Sequence, residues 1–188
     1  MSRSLPQTDA IARAIWDFTL ALYDADGVQG ACLDLQNRHG LGVSALLALT
    51  GLGAMGWTAS TPAALDDALR GAESWQHEVI EVIRDARQAI KAQGAAQALP
   101  DASALRGQVM HCEIEAERLQ QRLLIAEWVR HATPPATPPD KAEAAELAGD
   151  HAFRYLARYT QSLDAADQAA VDALLAPLRE GRVAPPRP

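Results

Sequence analysis

The chain is 188 residues long and holds 39 alanines and 23 leucines against 15 valines and isoleucines, with 24 acidic and 17 basic residues for a net charge of −7. Helix interiors favour Ala and Leu while strands draw on β-branched and aromatic side chains, so this balance disfavours a sheet and predicts an all-α protein. The negative field repels phosphate backbones and anionic lipid surfaces, which argues against nucleic acid as a partner.

At this length one domain, or one domain with an appendage, is expected. The start, MSRSLPQTDAIARAIWDF, lacks the uninterrupted apolar core of a signal peptide. Two cysteines, Cys32 and Cys112, make no disulfide framework and are expected as small core residues. A reducing cytoplasm is the expected setting.

The first helix is read at 6–23, where Ile11, Ile15, Phe18 and Leu22 recur at 4, 3, 4 and form one stripe. Asp24 to Gly27 is a turn, and 28–39 a short helix with Val28, Ala31, Cys32 and Leu35 inward and Gly40 as its stop. A buried third helix is expected at 41–55. The strongest apolar run, 41–57, is 17 residues long, the lower limit for a membrane span, but its glycines and the following Thr58, Ser60, Thr61 and Pro62 favour a buried helix and turn. Thr61 and Pro62 read as an N-cap followed by proline at the first helical position.

Two further helices carry a 3.5-residue period: Trp75, Val79, Val82, Ala86 and Ala89 on one, and Leu105, Val109, Cys112, Ala116, Leu119, Leu123 and Ala126 on the other. Such a period is the seam of a coiled coil, so these stripes are expected to pack on one another in a long antiparallel hairpin, its second helix running over 102–131. Pro100 and Asp101 mark the start of that helix.

The segment TPPATPP at 133–139 stops any helix and reads as an extended Pro-rich linker. It divides a helical bundle at 1–132 from a C-terminal helical hairpin at 140–180, too small to stand alone and so expected to dock on the bundle or on a second copy. Residues 181–188 read as a disordered tail.

The chemistry-bearing patterns are sparse. Gly51, Gly53 and Gly56 match a dinucleotide fingerprint, but no strand precedes them and no βαβ unit follows, so tight helix packing or a turn explains them better. His77-Glu78-Val-Ile-Glu81 lacks one ligand of a zinc protease motif, and at 100° per residue His77 and Glu81 point away from the seam, while His111 lies off its own. No Glu-x-x-His and no Gly-x-Ser-x-Gly occurs. No catalytic signature, metal site or cofactor is therefore assigned. Polar and aromatic groups gather near the first two helix ends, and Trp16, Tyr23, Asp34, Gln36, Arg38 and His39 are the candidate binding residues, either as caps and ion pairs or as a small pocket.

The blocks WDFTLALY at 16–23, GVQGACLDLQNRHG at 27–40, the uncharged stretch around Leu46 and Leu47, and WQHEVI at 75–80 with Arg84 and Arg87 resemble an uncharacterised proteobacterial domain-of-unknown-function family. The resemblance spans about residues 11–120. It implies an all-helical fold and a bacterial cytosolic setting, supplies no activity, and leaves the linker and C-terminal hairpin as an addition.

Together these readings predict a protein-interaction or self-associating module without catalysis, with a protein partner or a homo-oligomer as its contact. The alternative is a small-molecule-binding protein or enzyme with a pocket among residues 16–57. Scarcity of bulky side chains bears on the first reading. Leu, Ile, Val and Phe make up only 40 of 188 residues, so a chain like this gains stability by burying one more face.

Overall fold

The computed structural model describes residues 5–59, 61, 63–93 and 99–188. It is an all-α bundle: α1 (Leu5–Tyr23), α2 (Val28–His39), α3 (Val43–Ala54), α4 (Ala63–Trp75), α5 (Glu81–Ala92), α6 (Pro100–His131), α7 (Lys141–Leu156) and α8 (Ala165–Glu180). Pro62, expected at the first helical position, and residues 94–98, part of the expected connection, lie outside the described residues.

The first three helices form where the apolar spacing puts them. Ile11, Ile15, Phe18 and Leu22 of α1 are buried, as are Val28, Ala31, Cys32 and Leu35 of α2. Gly40 takes φ 71°, a left-handed conformation that only glycine adopts cheaply, and its N–H bonds the Gln36 carbonyl, ending α2. Uncharged α3 is buried from Ser44 to Ala54 and sits at the centre, with α1, α6 and α7 packed around it. Gly53 lets α7 come close: a Cβ there would stand 2.4 Å from the Leu147 carbonyl oxygen. At Gly51 it would stand 2.9 Å from Ile15 Cδ1 on α1. These two glycines of the fingerprint-like run thus serve helix packing.

The chain after α6 stays with the bundle. Ala132–Thr133 pairs antiparallel with Thr58–Ala59, making strands β2 and β1, and Pro135 and Pro139 lie against Gly56. α7 lies along α3 and α8 packs on α7 and α2. Asp164 caps α8 by accepting from the Ala166 and Asp167 N–H groups, and the Asp167 carboxylate accepts from the Asp164 N–H, a reciprocal capping box. Where the sequence reading expected a disordered tail, Val183 and Pro186 are buried.

The expected seam needs correction. α4 runs into α5 through one π-helical turn, Gln76–Ile80. A π turn inserts one extra residue and rotates everything after it by about 100°. Val82 is therefore 61% exposed, Ala86 and Ala89 are exposed, and the face turned to α6 is Ile80, Ile83, Arg84, Arg87 and Ile90. On α6 the residues buried are Glu113, Ala116, Gln120, Gln121, Leu124, Ile125 and Trp128, while Leu105, Leu119 and Leu123 stay between 41% and 49% exposed. Cys112, expected in the core, is exposed too: the buried face of α6 runs through Glu113, Ala116 and Gln120, and Cys112 lies on the side of Leu105 and Leu119.

Candidate functional site

The face of α6 that meets the bundle is polar where the sequence suggests apolar contacts. Gln121 Nε2 donates to the Ser44 carbonyl at 3.0 Å and to Thr19 Oγ1 at 3.1 Å, tying α6 to α3 and α1. Gln120 Nε2 donates to the Ala72 carbonyl at 2.8 Å and to Gln76 Oε1 at 3.1 Å. Trp75 Nε1, at the entrance to the π turn, donates to the Ala116 carbonyl at 2.9 Å.

One helical turn earlier along α6 sits a charged clamp. Arg87 Nε lies 2.5 Å from Glu113 Oε2, Arg84 Nε 2.9 Å from Glu113 Oε1, and Arg84 Nη2 3.3 Å from Glu117 Oε1. Burial works to raise the Glu113 carboxyl, but the bonds from Arg87 and Arg84 outweigh it and hold the group below its usual range. Burial pushes the neighbouring Glu117 up, against the pull of Arg84. Three guanidinium bonds fall on the two Glu113 oxygens, so this carboxylate ties α5 to α6.

Beyond the clamp, α5 and the first third of α6 continue as a two-helix arm. No residue of α5 is buried, and α5 packs on α6 and on the π turn that leads into it. On antiparallel helices advancing 100° per residue, Val82, Ala86 and Ala89 of α5 fall on the same side of the arm as Leu105 and Cys112 of α6. The stripes that the sequence pairs with each other thus lie side by side and face outward.

The six candidate binding residues do not gather in one place. Trp16 lines a groove of about 610 Å³ between α1 and α6, together with Asp9, Arg13, Arg118 and Arg122. In this groove Arg122 pairs with Asp9 at 2.8 Å. The Tyr23 hydroxyl accepts from Gln29 Nε2 at 3.4 Å, and Gln36 is half-buried. Asp34, Arg38 and His39 do come together, at the C-terminus of α2 against the N-terminus of α8. Arg38 Nη1 lies 2.8 Å from Asp167 Oδ1, Arg38 Nη2 2.5 Å from Asp164 Oδ2, His39 Nε2 2.6 Å from Asp167 Oδ1, and Asp34 is 3.8 Å from Arg38. Cations at a helix C-terminus and anions at an N-terminus complement both dipoles. Asp167 and Asp164 are what sequence reasoning missed here, being more than 120 residues away along the chain.

His77 pairs with Glu81 at 3.0 Å on the exposed side of the π turn. Among the described residues no group of three or more His, Cys, Asp or Glu is placed to hold a metal ion, and no helix is long and apolar enough to cross a membrane.

Residues 14–124 match the model of a family described as "Protein of unknown function (DUF2390)". The chain belongs to that family. The DUF2390 segment runs from within α1 to Leu124 of α6, so it contains the clamp, the π turn and the whole arm, while α7 and α8 lie beyond it. No curated protein and no solved structure matches the chain.

Proposed function

We propose that this protein is a self-associating interaction module that acts by contact, and that its contact surface is the outer face of the α5/α6 arm paired with a second copy. The observation that carries the reading is the outward stripe of Val82, Ala86, Ala89, Leu105 and Cys112 on two helices of which α5 buries nothing. Short helices are marginal in water without a packed face, and a pair of them lacks the second layer that a helical bundle supplies. Two arms facing each other across a two-fold axis complete a four-helix layer from one surface, with alanines allowing close approach.

The clamp supports this use. Glu113, Arg84 and Arg87 fix the arm at its base, so a partner meets a pre-set surface and binding loses less to ordering. Both cysteines are free thiols, which supports a cytoplasmic setting.

Light scattering across a wide concentration range tests the reading. The expected result is a dimer that becomes a monomer when Val82→Glu and Leu105→Glu are combined, with the helical circular-dichroism signal unchanged. A wild-type monomer at every concentration overturns it.

A further inference from the structure

A second concavity, of about 290 Å³, opens between α3, α4, α6 and α7, and its walls are Leu49, Leu65, Trp128, His151, Arg154 and Ala157. Three features of its lining are specific. Trp128 is 2% exposed, yet its Nε1–H is buried and donates to no atom among the described residues. Leaving such a donor without an acceptor costs free energy that a ligand oxygen recovers. The Arg154 guanidinium is exposed and forms no ion pair among the described residues, so the pocket carries a cation with spare donors. His151, whose ring centroid lies 5.0 Å from that of Trp128, points Nδ1 at the Leu49 carbonyl 3.1 Å away, and burial lowers its pKa to about 4. It is neutral at physiological pH, and Arg154 is the one charge among the lining residues.

We propose that this pocket binds a small carboxylate with a short apolar tail, its oxygens taking the Trp128 N–H and the Arg154 guanidinium and its tail lying against Leu49 and Leu65. At about 30 Å³ per water-sized group the space holds roughly ten heavy atoms, which suits an aliphatic acid of a few carbons or a benzoate. An amine is repelled by Arg154, and an alcohol gives it no charge to pair with. Thr61 apart, the polar groups of the lining, Trp128, His151 and Arg154, follow residue 124, so the site arises where the DUF2390 segment meets the C-terminal hairpin.

The test is titration of the full chain with butyrate, hexanoate and benzoate, followed by calorimetry and by the ¹H–¹⁵N resonance of the Trp128 indole. Hexanol and hexylamine serve as size-matched controls. Saturable binding of the acids, a downfield shift of the indole N–H, and at least a tenfold loss of affinity in Arg154→Gln are expected. Arg154 is on the surface, so that variant retains its fold, as its melting curve will check; Arg154→Lys should recover part of the affinity. Absence of saturable acid binding by the folded protein overturns the proposal. Equal binding of hexanoate and hexanol in wild type and Arg154→Gln also overturns it, as does an indole resonance that binding leaves in place.

Discussion

Arg87 on α5 and Glu113 on α6 meet with Nε 2.5 Å from Oε2, and this pair, shared with Arg84, pins the two helices of the arm together at its base. Removing one partner of a largely buried ion pair leaves the other uncompensated. A fully buried pair would cost 3–5 kcal/mol and an exposed one under about 1, so Glu113→Gln should destabilise by about 2 kcal/mol. Chemical denaturation measures it. Because the folded state lowers the Glu113 pKa, its contribution is present above the ordinary carboxylate range and is lost as pH falls through the folded value. Glu113→Gln should therefore flatten the acid limb of the stability curve, and a variant with an unchanged acid limb would count against the clamp.

His151 should leave a signature in a different window. Burial lowers its pKa from 6.5 to about 4, so the unfolded chain binds a proton that the folded chain refuses. Stability is fully present above pH 6.5 and declines between 6.5 and about 4, by about 3 kcal/mol in all. In His151→Asn, which keeps a donor for the Leu49 carbonyl but does not titrate, the slope between pH 6.5 and 5 should vanish while the Glu113 limb at lower pH persists. Equal slopes in both proteins would mean that His151 is hydrated in the native state.

Much of the architecture was legible because it is local. Gly27 and Gly40 punctuate α2, Pro100 starts α6, and the 4, 3, 4 spacing of α1 points at the core. The arm was misread because the 3.5-residue period of Trp75, Val79 and Val82 assumes an unbroken α-helix, and nothing in the composition of QHEVI announces a π turn. The apolar end of the inward face of α6, Leu124, Ile125 and Trp128, is legible in the sequence, but its polar part is not. Gln120, Gln121 and Glu113 look like surface residues until their partners Ala72, Ser44 and Arg87, all distant in sequence, are placed opposite them. The one local hint is the spacing itself, since Arg84 and Arg87 on one helix match Glu113 and Glu117 on the next.

Glycines separate cleanly by what surrounds them. At Gly53 a Cβ would meet backbone, 2.4 Å from the Leu147 oxygen and 2.8 Å from the Ala148 Cα, so the α3 and α7 axes must separate to admit it. Gly53→Ala should cost about 3 kcal/mol, at the upper end of overpacking penalties. Gly30 and Gly71 lie in α2 and α4 with open space around them, so Gly30→Ala and Gly71→Ala should each add about 0.5–1 kcal/mol. Thermal unfolding of the three variants checks both signs at once.

The two cysteines connect burial to the proposed pairing of arms. Cys32 is 0% exposed and burial pushes its thiol up to about 12, so it is neither ionised nor reachable in the folded chain. Cys112 is exposed on the outward stripe beside Leu105. A dilute native sample treated with a thiol-specific reagent should label Cys112 promptly. Cys32 should react on the order of a thousandfold more slowly, since it waits for an opening that costs several kcal/mol. Raising the protein concentration should slow Cys112 as arms pair over it, and the slowing should vanish in the Val82→Glu, Leu105→Glu variant. If light scattering reports a dimer while Cys112 labels at one rate throughout, the two copies meet on some other face and the arm is free.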